Sequence, residues 1–103
     1  MADEGFRVDL LEQGRAARLI GELDLAAYGV ATDALSHLFE AAHDVTLDVS
    51  RLSFVDSSGI RLFIRLHQSL TGGRLVLRSP TPHVARVLEI AGLPDLGIRI
   101  EGE

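Results

Sequence analysis

Cysteine is absent from the sequence, which removes disulfide scaffolding, thiolate catalysis and cysteine-ligated zinc from the functions open to it. No apolar run approaches the roughly twenty residues that span a bilayer. The first residues, Met-Ala-Asp-Glu-Gly-Phe-Arg, lack the basic start and apolar stretch of a signal peptide, so the expectation is a cytoplasmic protein with no membrane insertion. Positive charge is sparse: 10 basic against 15 acidic residues leave a net charge of -5 at pH 7. The arginines are spread along the chain with no cluster dense enough to follow a phosphate backbone, so nucleic acid is not an expected direct partner.

What is present is the composition of a packed protein, 47% hydrophobic and 24% charged. A chain of 103 residues supports one hydrophobic core, and it is too short for a second domain that closes over a substrate. One domain over residues 1–103 is expected, and the initial Met reads as a free-standing unit. The acidic balance and the lack of a long exposed apolar strand favour a monomer.

Phe6 to Leu11 alternates apolar and polar, Glu12-Gln13-Gly14 makes a turn, and Arg15 to Ile20 resumes the pattern, which predicts a hairpin. Apolar residues at 27, 30, 31, 34, 35, 38 and 42 predict a first helix from Ala26 to Ala42, weakened by Gly29 in its first turn. Val45 to Val49 is a short strand with Val45, Leu47 and Val49 on one side and Asp48 on the other. Ser57 to Thr71 is a second helix stopped by Gly72-Gly73, followed by a strand over 74–78. Thr81-Pro82 starts a third helix, closed by Gly92 and Pro94, and Ile98 to Glu101 supplies a last strand. This order defines an α/β fold: a mixed, mostly parallel β-sheet with an N-terminal β-hairpin and helices packed on it.

Asp56-Ser57-Ser58-Gly59 stands where an apolar strand gives way to the second helix. On a helical wheel Ile60, Phe63, Ile64, Leu66, His67 and Leu70 form a core arc, while Ser57, Arg61, Arg65 and Gln68 fall on the solvent side. Asp56, Ser57 and Ser58 all suit a helix cap, a role that needs only one of them. The Ser57 hydroxyl is also reachable for modification, and a phosphate at a helix start would meet free amides and the positive end of the dipole. From the residues alone both readings stand.

Other candidates are weaker. His37, His43, His67 and His83 show no close ligand spacing, so no metal site is assigned, and His67 reads as a satisfied core histidine. The serines lack the Gly-x-Ser-x-Gly frame of a hydrolase elbow, and Thr71-Gly72-Gly73-Arg74 lacks the lysine of a P-loop. Glu22 and Asp24, at a strand end, are expected on opposite faces and hence unsuited to paired acid/base work. No catalytic residue and no cofactor are assigned.

Gly21-Glu22-Leu23-Asp24 before the first helix, Val45-Thr46-Leu47-Asp48-Val49, Leu52-Ser53-Phe54-Val55-Asp56-Ser57-Ser58-Gly59, Ser79-Pro80 and Ala91-Gly92-Leu93 together resemble the STAS domain family, of the anti-sigma factor antagonist type. The resemblance covers nearly the whole chain. It implies a bacterial, non-enzymatic partner-switching phosphoprotein that regulates transcription. Its unphosphorylated form would bind an anti-sigma factor serine kinase of the histidine-kinase-like ATPase type and so release a sigma factor; a PP2C-type serine phosphatase would reset it. ATP would be bound by the kinase. By position, the resemblance makes Ser57 the phosphate acceptor, Asp24 its neighbour in the kinase complex, Glu22 a more peripheral member of that surface, and Asp56, Ser58 and Gly59 the shapers of the loop and helix start. Arg61 departs from the family pattern, where a small residue often stands, and would lie one turn from Ser57 on its solvent side. The alternative is a STAS scaffold or ligand-sensing subunit of a larger assembly such as a lipid-transport ATPase.

Overall fold

The computed structural model describes residues 5–12 and 14–102. Five strands, β1 (Phe6–Leu10), β2 (Ala16–Leu23), β3 (Val45–Val55), β4 (Leu75–Arg78) and β5 (Arg99–Glu101), form one sheet in sequence order. β1 pairs antiparallel with β2, and β2 to β5 run parallel. Three helices, α1 (Tyr28–Ala34), α2 (Ser57–Ser69) and α3 (Pro82–Ile90), lie in the crossovers. With sequential strand order and right-handed crossovers, all three helices fall on one face. There Leu19, Leu47, Leu75 and Leu77 from the sheet meet Ala31, Leu62, Phe63, Leu66, Val84 and Leu88 from the helices in a single buried cluster.

The other face of the sheet is covered by side-chain charge. Asp9 stands opposite Arg18, Arg18 beside Asp48, Asp48 beside Arg78 and Arg78 beside Glu101, so one row of alternating sign crosses all five strands. Arg18 Nε lies 3.2 Å from Asp48 Oδ2 and Arg78 Nε 3.7 Å from Glu101 Oε1. Burial pushes the Asp48 carboxyl up, but the Ser50 hydroxyl (2.7 Å), the Ser50 amide (2.9 Å) and Arg18 outweigh it and hold the group below its ordinary value.

Two elements differ from the sequence expectation. β3 runs six residues beyond Val49, because its register against β2 shifts twice, between Arg18 and Ile20 and between Gly21 and Glu22. Each shift inserts one extra residue into β3. Ser50-Arg51 and Ser53-Phe54 are thus exposed as pairs while Leu52 and Val55 still point into the core, and the alternation that marks a strand is lost at each bulge. The helix expected over 26–42 is broken into a 3-10 turn (Leu25–Ala27), α1, and a second 3-10 turn (Ser36–Leu38). Ser36 Oγ donates to the Asp33 carbonyl (2.9 Å), Leu35 leaves helical geometry and Glu40 adopts a left-handed φ of 66°, so local side-chain bonds end the helix. The apolar stripe survives as Ala27, Ala31, Leu35 and Leu38, all buried, whereas Val30 is 58% exposed.

Candidate functional site

The carboxyl ends of β2 and β3 place the site. Leu23 and Val55 are register partners, and the Asp56 amide donates to the Leu23 carbonyl at 3.3 Å, so Asp24 and Asp56 leave the sheet side by side. Each then caps the element that follows. Asp24 Oδ1 accepts from the Ala27 amide at 3.0 Å, and Asp56 Oδ1 accepts from the amides of Ser58 (2.8 Å) and Gly59 (3.4 Å).

Gly59 is buried where α2 enters, and a Cβ there would stand 2.5 Å from Val55 Cγ2 and 2.9 Å from Leu23 Cγ. The glycine lets the first turn of α2 press directly on the ends of β2 and β3. Gly21 makes a second close approach: its φ is +106°, a Cβ would run into the Gly5 backbone, and the Glu22 amide donates to the Gly5 carbonyl at 2.8 Å.

On this frame Ser57 is exposed and Ser58 half-buried. Among the described residues nothing hydrogen-bonds the Ser57 hydroxyl, and the Arg61 side chain, also exposed, has no ion-pair partner. The wheel is corrected here. Leu62, left outside the expected core arc, is fully buried, whereas Ile60 and Ile64 are half-buried and line a shallow cavity of about 380 Å³ with Ser57, Arg61, Arg65 and Gln68. Arg65 Nη1 lies 3.5 Å from the Tyr28 hydroxyl. His67 is half-buried with both ring nitrogens engaged: Nδ1 accepts from the Leu75 amide (3.1 Å), and Nε2 donates to the Leu96 carbonyl (3.0 Å).

Glu22 and Asp24 are also corrected. Residues two apart in a strand share a face, and both line a cavity of about 190 Å³ with Phe6, Ala27 and Val30. Neither lines the groove that contains Ser57, which holds Arg61 and Arg65 instead. Two exposed apolar residues near the capping aspartates in sequence were missed by sequence reasoning: Leu25, next to Asp24, is 75% exposed and Phe54, two before Asp56, 40%. For Phe54 the signal would have been a strand continuing past Val49. Among the described residues no group of three or more His, Asp or Glu is placed to hold a metal, and no helix is long and apolar enough to cross a membrane.

Helices on one face of a mostly parallel sheet, with an exposed serine where the central strand gives way to α2, define a two-layer α/β domain. The STAS domain family model matches residues 8–101, and the chain belongs to that family. It is 28% identical to the anti-sigma-B factor antagonist of Bacillus subtilis (strain 168) over 80 residues, 76% of this chain and 73% of that protein. Its fold is similar to the solved structure of the anti-sigma factor antagonist SpoIIAA in its unphosphorylated form, with a TM-score of 0.62, 23% identity, and coverage of 95% of this chain and 88% of that one.

Proposed function

We propose that this domain is an anti-sigma factor antagonist switched by phosphorylation of Ser57. Unphosphorylated, it binds an anti-sigma factor serine kinase and frees the sigma factor. On phosphorylation, Ser57 Oγ forms a bond to the γ-phosphorus of kinase-bound ATP, the bond to ADP breaks and the hydroxyl proton is released. A PP2C-type phosphatase hydrolyses the ester with water, which returns the free hydroxyl and releases inorganic phosphate. The observation that carries this reading is an exposed, unengaged serine hydroxyl held on a fixed helix start. A phosphate adds about -1.5 to -2 charges there, enough to oppose docking without unfolding the domain.

The test is fragment mapping of protein from native cells together with binding to the purified cognate kinase. One phosphate at Ser57, binding retained by Ser57→Ala and lost by Ser57→Asp, is the expected result; equal binding by both variants refutes the switch. The ligand-sensing alternative has one feature in its favour, a larger cavity of about 660 Å³ remote from Ser57 and lined by Ser79, Pro80, Pro82, Glu89, Pro94 and Ile100.

A further inference from the structure

A phosphate on Ser57 finds little free donor capacity at the helix start, where of the first three amides of α2 only that of Ser57 itself is unengaged among the described residues. The Ser58 and Gly59 amides already donate to Asp56 Oδ1, and the Asp56 and Asp24 carboxylates, both at the strand ends beside the serine, repel an added anion. The expectation that free amides would receive the phosphate is thus narrowed to the Ser57 amide. Stabilising charge has to come from side chains, and α2 supplies it on one side only, where Arg61 and Arg65 line the groove with Ser57, Ile60 and Ile64.

Arg61 is four residues beyond Ser57, so their Cβ atoms stand about 5–6 Å apart, and helical side chains lean back toward the N-terminus. Its guanidinium is thus within reach of a phosphate on Ser57 Oγ and has no competing ion pair among the described residues. Arg65, a turn further on, already holds the Tyr28 hydroxyl and contributes charge at longer range. Ile60 and Ile64 form an apolar floor that keeps part of the groove out of water.

We infer that Arg61 clamps the Ser57 phosphate in cis over Ile60 and Ile64, with Arg65 reinforcing it. Modification then acts twice: it adds negative charge and withdraws a guanidinium from the face that a partner meets. This inference rests on the reading of Ser57 as the phosphorylated residue, but its test does not depend on finding the kinase.

The test is a ³¹P NMR titration of the full chain with phosphoserine installed at position 57 during translation. A phosphate ordinarily loses its second proton near pH 6. In the folded protein it is expected to do so about half a unit lower than in the same chain unfolded in urea, a roughly threefold preference for the dianion. Arg61→Gln should abolish most of that shift, Arg61→Lys should restore part of it, and Arg86→Gln on α3 should leave it unchanged. Coincident titrations of wild type and Arg61→Gln overturn the clamp. An equal response to Arg86→Gln also overturns it, because general charge and not a local pair would then be responsible. Absence of phosphate on Ser57 in native cells would refute the switch reading alone, since the titration measures the clamp on installed phosphoserine.

Discussion

Replacing Gly59 with alanine sets two effects of opposite sign against each other. Alanine is worth about 1 kcal/mol over glycine inside a helix, and that gain is available because Gly59 does not have a positive φ. Against it, the new methyl would sit 2.5 Å from Val55 Cγ2, 2.9 Å from Leu23 Cγ and 3.0 Å from Leu23 Cδ2. Those side chains belong to strands and are 4% and 0% exposed, so they have nowhere to move, and overpacking of a closed core costs about 1–3 kcal/mol. A contact as short as 2.5 Å puts that cost at the upper end of its range, so the expected net loss is about 2 kcal/mol, and each 1 kcal/mol lowers the melting temperature by about 4–8 °C in a domain of this size. Gly29→Ala is the internal control: the same atoms are added to α1, nothing lies within 4 Å, and a gain of about 0.4–1 kcal/mol is expected. Thermal and urea unfolding followed by far-UV circular dichroism measure both. If Gly59→Ala is as stable as wild type, the close approach of α2 to β2 and β3 does not explain the glycine.

Asp56→Ala removes the acceptor for two first-turn amides and should cost about 1 kcal/mol, with faster hydrogen exchange at Ser58 and Gly59 and little change in α3; unchanged exchange at both would refute the cap. The folded Asp48 carboxyl titrates below its unfolded value, so the stability it contributes is fully present above the unfolded value of about 3.9 and is lost as pH falls through the lower, folded value. Asp48→Asn should therefore be less stable than wild type at pH 7 by about 1 kcal/mol, and the two stabilities should converge on acidification; a gap that stays constant from pH 7 to pH 2 refutes the assignment.

The parts of the fold legible in the sequence are those where local pattern and tertiary packing agree. Thr81-Pro82 reads directly as a cap with proline at the first helical position, and the Thr81 hydroxyl accepts from the Val84 amide at 3.3 Å. Val45, Leu47 and Val49 read as one buried face because no bulge interrupts them. Beyond Val49 the alternation fails for a non-local reason: which residue of β3 bulges depends on its pairing with β2, and nothing within residues 50–55 reports that pairing. The break in the first helix is hidden for a different reason: mostly local side-chain bonds interrupt a stripe that keeps its period. Ala27, Ala31, Leu35 and Leu38 keep a helical period, while the change to 3-10 geometry depends on Thr32 donating to the Tyr28 carbonyl (2.7 Å), on Ser36 donating to the Asp33 carbonyl, and on Ser69 accepting from the Glu40 amide (3.0 Å).

Asp-Ser-Ser-Gly is ambiguous because a cap and a modifiable serine use the same residue types, and the structure assigns the cap by what each side chain touches. Asp56 supplies the cap, Gly59 the close packing, and Ser58 is half-buried with its amide engaged. Ser57 is left with an exposed hydroxyl that does none of these things. Ser57→Ala should accordingly change stability by no more than about 0.5 kcal/mol, as for a surface substitution away from caps and core, in contrast to the losses expected at Asp56 and Gly59. The urea midpoint at constant m-value decides it. A loss above about 1 kcal/mol would return Ser57 to the role of a helix cap and remove the structural ground for treating it as a site kept free for chemistry.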